Sequence, residues 1–245
     1  MCTVSWIHSD DGYRLFFNRD EQLARRPGIA PAIRERHGVK FIAPLDGNHG
    51  GTWIAVNRFG LTLCLLNFYA AAPDGSGNEF ISRGRLIIDL IDSVDQVSVE
   101  DRLPARRLDD FRPFTLVAVQ PRRAAEVFQW NGIKLTKRRD GELMMPLTSS
   151  SFDALRVINH RRAEFERLRN RKGGLSPGML YRYHRRHDPV SGAHSVCMHR
   201  NDAATVSFSM VKVDNESIEF KYLPDSPCRG RKDVFQTVLV GRAAS

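Results

Sequence analysis

Cys2-Thr3-Val4-Ser5-Trp6-Ile7-His8-Ser9-Asp10-Asp11-Gly12-Tyr13-Arg14-Leu15-Phe16-Phe17-Asn18-Arg19-Asp20-Glu21 reads as two strands and a turn in one run. Thr3 to Ile7 alternates polar and apolar, as a half-buried strand does. Ser9 to Gly12 is turn chemistry, and Tyr13 to Phe17 resumes an extended run, so a hairpin is expected. A hairpin returns the end of its second strand to the start of its first. Asn18, Arg19 and Asp20 are therefore expected beside Cys2.

That neighbourhood has chemical potential. A Met1-Cys2-Thr3 start leaves a small side chain after the initiator methionine, so trimming of Met1 is expected. Trimming would put a thiol and a free α-amino group on one residue. The α-amino pKa lies near ~8, so the amine can hold a lone pair at neutral pH and serve as the nucleophile's own base. An arginine beside the thiol favours the thiolate, and a carboxylate beside the amine can orient it. On spacing alone a second reading stands: Cys2 is a small hydrophobe opening a strand, and Arg19 and Asp20 form a surface ion pair worth at most ~1 kcal/mol.

Further blocks carry a resemblance. Phe17-Asn18-Arg19-Asp20-Glu21, Gly50-Gly51-Thr52-Trp53, Asn67 and Ser82-Arg83-Gly84 follow Cys2 in the order and spacing of the NRDE family, over the first third of the chain. The Met-Cys-Thr start and Pro146-Leu147-Thr148-Ser149-Ser150 also resemble the cysteine branch of the N-terminal nucleophile hydrolases, which includes bile-salt hydrolases and penicillin V acylases. The resemblance implies a four-layer αββα sandwich of two antiparallel sheets flanked by helices. It implies Cys2 as nucleophile with its own amine as base, Arg19 near thiol and substrate, Asp20 holding the amine, and Asn67 as oxyanion donor. Asn18, Trp53, Arg83 and Ser149 are assigned to the substrate side. Where the acylases carry asparagine after the threonine, this chain has Ser149, a shorter donor. The implied activity is hydrolysis of amide C–N bonds outside peptides. The family is also linked to haem trafficking and to acyl-coenzyme A and lipid metabolism, so the alternative is a carrier of haem or an acyl-coenzyme A or lipid ligand in the same pocket.

The 245 residues, 42% hydrophobic and 27% charged, are expected to form one domain spanning 1–245. No apolar run approaches the ~20 residues of a membrane span. Asp10, Asp11 and Arg14 break any signal-peptide core. Cys2, Cys64, Cys197 and Cys228 form no Cys-x-x-Cys pair, and a reducing, cytoplasmic location is expected.

Along the rest of the chain, Thr52–Val56 and Leu61–Leu66 read as a hairpin around Asn57-Arg58-Phe59-Gly60. Gly50-Gly51 permits close backbone approach there; Trp53 is then either a substrate wall or a core residue. Residues 70–78 read as a loop, and 82–91 as a short amphipathic helix presenting Leu86, Ile87, Leu90 and Ile91. Phe114–Val119 and Glu126–Trp130 lead to an Asn131-Gly132 turn. Leu143–Leu147 follows as an extended run, Ser149–Ser151 as helix caps, and Phe152, Leu155, Ile158, Phe165 and Leu168 as a helical stripe to about Arg171. Ala204–Val213, Ser217–Leu223 and Val234–Val240 read as strands. Without βαβ alternation, this pattern alone gives α+β with antiparallel sheet.

Residues 159–200 carry five of the eight histidines, His160, His184, His187, His194 and His199, among many arginines. His184-x-x-His187 has a helical metal spacing, but no third ligand recurs at a fixed offset, so no metal or other cofactor is assigned beyond haem as cargo in the carrier reading. With a net charge of +9, the cluster suits a small anionic ligand; the alternatives are a solvated helix face and a lid over the site. The stacking aromatics of nucleic-acid modules are not evident, so nucleic acid is not an expected partner.

Overall fold

The expected hairpin forms, as β1 (Cys2–Ser9) and β2 (Gly12–Gln22), with Cys2 opposite Arg19 and Ser9 opposite Gly12. Gly12 sits where a Cβ would lie 2.0 Å from the Val213 carbonyl oxygen, so only glycine lets the turn pass beneath the neighbouring strand. The structure, a computed structural model, describes residues 2–69, 80–188, 190–229 and 235–243. Met1 and the loop read at 70–78 lie outside the described residues.

The hairpin is extended into a six-stranded sheet. On one side β1 pairs with β10 (Leu147–Ser149), setting Cys2 opposite Ser149. On the other, β2 pairs with β11 (Ala203–Val213), which leads through β12 (Ser217–Leu223) to β13 (Gln236–Gly241). The second sheet has seven strands in sequence order: β3 (Ile29–Arg36), β4 (Val39–Leu45), β5 (Ile54–Asn57), β6 (Thr62–Asn67), β7 (Phe114–Gln120), β8 (Arg123–Trp130) and β9 (Leu135–Arg138). Every named pairing in both sheets is antiparallel.

Helices cover the outer faces. Leu86, Ile87 and Leu90 of α1 (Gly84–Leu90) and Val99 of α2 (Gln96–Arg102) pack with Leu63, Leu65 and Leu116 of the seven-stranded sheet. Phe165 of α4 (Ala154–Arg169) and Tyr183 of α5 (Pro177–His184) meet edge-on, with ring centroids 5.3 Å apart, over the other sheet. A single four-residue turn, α3 (Gly141–Met144), precedes β10. The result is an α+β sandwich with the two sheets face to face and helices outside them. The largest apolar cluster joins Val4, Trp6 and Leu15 to Val56, Cys64 and Val117 across the sheets.

Period-2 alternation then sorts the hairpin's side chains. Cys2, Val4, Trp6, Leu15, Phe17 and Arg19 share one face, toward the second sheet. Thr3, Ser5, Phe16 and Asn18 share the other, where Arg161 reaches Thr3 and His184 reaches Ser5.

Three expectations are corrected. The buried stripe of α4 is Val157, Arg161, Glu164, Phe165 and Leu168, while Phe152 and Leu155 are exposed. Two charged residues lie inside because they meet charged partners, which hydrophobic periodicity does not register. Ser149 belongs to a strand, and the α4 cap position is Asp153, in left-handed conformation with φ 38°. Leu143 sits in the α3 turn and is exposed, so the extended run begins only at Leu147.

A candidate active site at the Cys2 end of the hairpin

The ends of β1 and β2 open onto a cleft of about 550 Å³ between the sheets. Cys2, Arg19, Asp20, Trp53, Asn67 and Arg83 all line it, so six of the eight residues singled out from sequence come together. Asn18 and Ser149 do not line it.

Cys2 is buried, 8% exposed, at the base of this cleft. Its backbone nitrogen donates to Ser149 Oγ at 3.0 Å, a contact set directly by the β1–β10 register. Burial pushes its thiol up to about 11; the Asp20 carboxylate pushes the same way, and the Arg19 guanidinium opposes. Arg19 pulls the thiol toward the thiolate, as expected, and desolvation by burial outweighs it. Arg19 is also committed elsewhere. It pairs with Asp46 at 2.6 Å, reaches Glu21 at 3.4 Å, and its guanidinium carbon lies 4.0 Å above the Trp53 ring.

Asp20 is buried behind the thiol. Its Oδ1 accepts from Thr205 Oγ1 at 2.6 Å and its Oδ2 from Arg161 Nη1 at 3.2 Å, the side chains of this ion pair being fully buried. Arg161 also donates to Thr3 Oγ1 at 2.6 Å, tying α4 to both hairpin strands. The guanidinium thus neutralises a carboxylate that burial would otherwise penalise.

Asn18 was expected against the substrate, and the structure places it on the opposite face of β2. Adjacent strand residues point to opposite sides, so with the Arg19 side chain toward the cleft those of Asn18 and Asp20 turn to the face covered by α4 and α5. Asn18 Nδ2 donates to the carbonyls of His184 and Val196 at 3.0 and 2.9 Å. That orientation leaves Oδ1, an acceptor, 3.0 Å from His184 Nδ1, so this ring nitrogen carries the proton. Nε2 then accepts from Ser5 Oγ at 2.9 Å. Burial, with the Arg161 charge adding to it, pushes His184 down to about 3. His184 is therefore a neutral core residue, and the His184-x-x-His187 spacing, to which no metal was assigned, does not bring the two rings to a common ligand site among the described residues.

The far wall comes from a backbone contact. A Cβ on Gly84 would lie 2.7 Å from the Thr52 carbonyl oxygen, and one on Gly51 2.8 Å from the Gly84 carbonyl carbon. The two glycines let the start of α1 touch the segment before β5, where Thr52 N donates to Gly84 O at 3.2 Å. This seats Trp53 and Arg83 on the same cleft. Asn67 Nδ2 donates to Tyr69 Oη at 2.6 Å, so its amide is held at the rim by a phenol.

Sequence reasoning missed Asp46, Arg25 and Arg112. Asp46 caps its own turn through the backbone nitrogens of Asn48 and His49 while pairing with Arg19 and Arg25. Burial works against its ionisation, but Arg25, those N–H groups and Arg19 together hold its carboxyl below the usual value. The sequence signal was the Asp46-Gly47-Asn48 turn. Arg112 and Arg83 line the cleft without a carboxylate partner among the described residues; Arg83 donates to the Pro113 carbonyl at 3.0 Å and Arg112 stacks 5.2 Å from the Phe80 ring.

Residues 1–191 match the family described as Transport and Golgi organisation 2. The chain belongs to that family. No curated protein matches it. The family member's fold is similar to an N-acylethanolamine-hydrolyzing acid amidase ortholog from Caenorhabditis elegans, with 14% identity, TM-score 0.58, and coverage of 98% of this chain and 100% of that one. Penicillin V acylase from Agrobacterium tumefaciens gives 11% identity and TM-score 0.54, over 91% and 83%. The C2A mutant of conjugated bile acid hydrolase from Clostridium perfringens gives 11% and 0.53, over 98% and 92%. The fold is that of the N-terminal nucleophile hydrolases. Among the described residues, no helix is long and apolar enough to cross a membrane.

Proposed function

We propose that this protein is an amidohydrolase in which Cys2, exposed as the first residue by loss of Met1, attacks small-molecule amides outside peptides. The observation that carries the reading is the register around Cys2. One residue has its thiol at the base of a cleft, its nitrogen donating to Ser149, and Arg19 directly across the hairpin.

The neutral thiol shapes the mechanism. Attack requires the thiol proton to move to the α-amine as Sγ bonds to the amide carbon. An amine that donates an N–H to Ser149 keeps its lone pair free for that proton. The C–N bond then breaks, the α-ammonium returns the proton to the departing amine, and a thioester remains. Water, losing its proton to the same amine, attacks the thioester and releases the carboxylic acid with the thiol restored. Asn67 is the oxyanion donor in this reading, once its amide turns from Tyr69. Arg83 and Arg112 give the cleft two cations for an anionic substrate group. The amidase, acylase and hydrolase names of the structural relatives, the hydrolase recorded as its C2A mutant, support the same reaction class. The four free cysteines fit the reducing, cytoplasmic location also proposed.

The alternative, a carrier of haem or an acyl-coenzyme A or lipid ligand, uses the same cleft and draws on the histidines and basic side chains near residue 184 for an anionic ligand. His184 is enclosed by Ser5 and Asn18, outside the cleft, and no specific observation favours a carrier. The test is turnover of a panel of N-acyl amides, read as released amine, by Met1-free protein and its Cys2→Ala variant. Turnover that drops by at least about 10³-fold in the variant supports the nucleophile. Equal turnover by both removes it.

A further inference from the structure

A second cluster of reactive side chains lies away from the cleft and plays no part in the reaction above. His187 follows α5, Cys197 and His199 lie in the segment entering β11, and Cys228 lies beyond β12. One ligand atom from each falls within 4.8 Å of all the others. The His199 Nε2 is 3.3 Å from Cys228 Sγ and 3.5 Å from Cys197 Sγ. The His187 and His199 rings meet edge-on at 5.0 Å between centroids, and His187 Nε2 is buried with no hydrogen-bond partner. We infer that His187, Cys197, His199 and Cys228 form a tetrahedral site for one zinc ion.

The geometry selects a single ion. Zinc binds sulfur at ~2.3 Å and imidazole nitrogen at ~2.0–2.1 Å, which puts tetrahedral ligand atoms about 3.3–3.8 Å from one another. The two sulfur–nitrogen separations already fall in that range, so small side-chain rotations complete the shell. Two thiolates and two neutral imidazoles around a divalent cation have no net charge, which suits a partly buried location. Two sulfurs with two nitrogens is a set that favours zinc over oxygen-seeking cations. The buried Nε2 of His187 gains the partner it lacks.

The surrounding backbone is already fixed. Cys197 N donates to Arg186 O at 3.0 Å, and Ser226 Oγ donates to Thr205 O at 2.6 Å, two residues before Cys228. Four protein ligands leave no open position, so the site is structural. It ties the 186–200 segment to the chain beyond β12. Met198, between two ligands, donates its N–H to Thr205 Oγ1 at 2.8 Å, and that hydroxyl is bonded to Asp20. The ion therefore braces the side of the cleft that holds Asp20.

The test is metal content of the full chain purified under reducing conditions, with cobalt(II) substitution of the same protein. The expected result is about one zinc per chain, and a cobalt form with thiolate charge-transfer absorption and tetrahedral d–d bands. A strong chelator should lower the melting temperature and added zinc should restore it. Cys2→Ala should keep zinc and the cobalt spectrum, whereas Cys228→Ser should lose the metal; if Cys228→Ser fails to fold, the chelator experiment on the unmodified chain decides. Absence of bound zinc with a chelator-insensitive melting temperature overturns the inference. So does a peptide map showing Cys197 and Cys228 joined as a disulfide in the reduced preparation.

Discussion

The backbone nitrogen of Cys2 and the hydroxyl of Ser149 lie 3.0 Å apart because β1 and β10 pair with these two residues opposite each other. Ser149 looked from sequence like a shortened substitute for an asparagine that touches substrate. In the sheet it instead accepts from the backbone nitrogen that would become the α-amine on loss of Met1. In the proposed reaction it positions the base.

Ser149→Ala should therefore lower kcat by roughly tenfold with little change in KM, since the base loses orientation but the cleft wall is untouched. The pH profile of kcat/KM should shift its lower limb, and Ser149→Thr should recover part of the rate. An unchanged profile would assign Ser149 to packing alone.

The Asp20–Arg161 pair is fully buried, so removing one partner leaves an uncompensated charge. Arg161→Leu should cost about 3–5 kcal/mol, which for a chain of this size lowers the melting temperature by on the order of 10 °C. Calorimetry of the variant checks this, and Asp20→Asn with Arg161→Leu together should be less damaging than the sum of the two.

His184 makes stability pH-dependent in a defined direction. Its pKa is about 3 when folded, against 6.5 for the ordinary side chain. Between those values the unfolded chain binds a proton that the folded chain refuses. Stability is thus fully present above about pH 6.5 and falls as pH drops toward 3, by up to about 1.4 kcal/mol per pH unit. Denaturant midpoints from pH 7 to 4 should fall less steeply in His184→Gln than in the unmodified protein, although the variant starts less stable. Parallel slopes would place the titration elsewhere.

Gly84→Ala sets a methyl against the Thr52 carbonyl, where only backbone movement relieves the contact. A loss of about 1–3 kcal/mol is expected. Because Arg83 and Trp53 flank the contact, substrate KM should rise as well. Ala at Gly50, where a Cβ meets nothing within 4 Å but φ is 65°, should cost stability without the same effect on KM.

The first hairpin was legible because Thr3 to Ile7 alternates and Asp10-Asp11-Gly12 punctuates it. That also placed Arg19 across from Cys2. Asn18 was misassigned because proximity along a strand was read without its alternation. The β3–β4 pair escaped notice because β3 is an exposed edge: Ile29 and Ile33 are 53% and 49% exposed, Pro31 interrupts the run, and Arg34, Glu35 and Arg36 end it. The short α5 was announced only by Ser176-Pro177, a cap followed by a first-turn proline. The His/Arg-rich region resisted reading because its histidines separate in space. His184 turns into the core, while His187 and His199 meet cysteines, one of them far along the chain.

Whether Cys2 is an N-terminal nucleophile can be read from the intact mass of the purified protein before and after a short incubation with a thiol-reactive amide-mimetic probe. The expected result is a chain lacking Met1 that gains one adduct, mapped to Cys2, with a rate controlled by a group titrating near ~8, the α-amine, rather than near 11. A chain that keeps Met1, or a Met1-free chain whose Cys2 labels only as pH approaches 11, would contradict it.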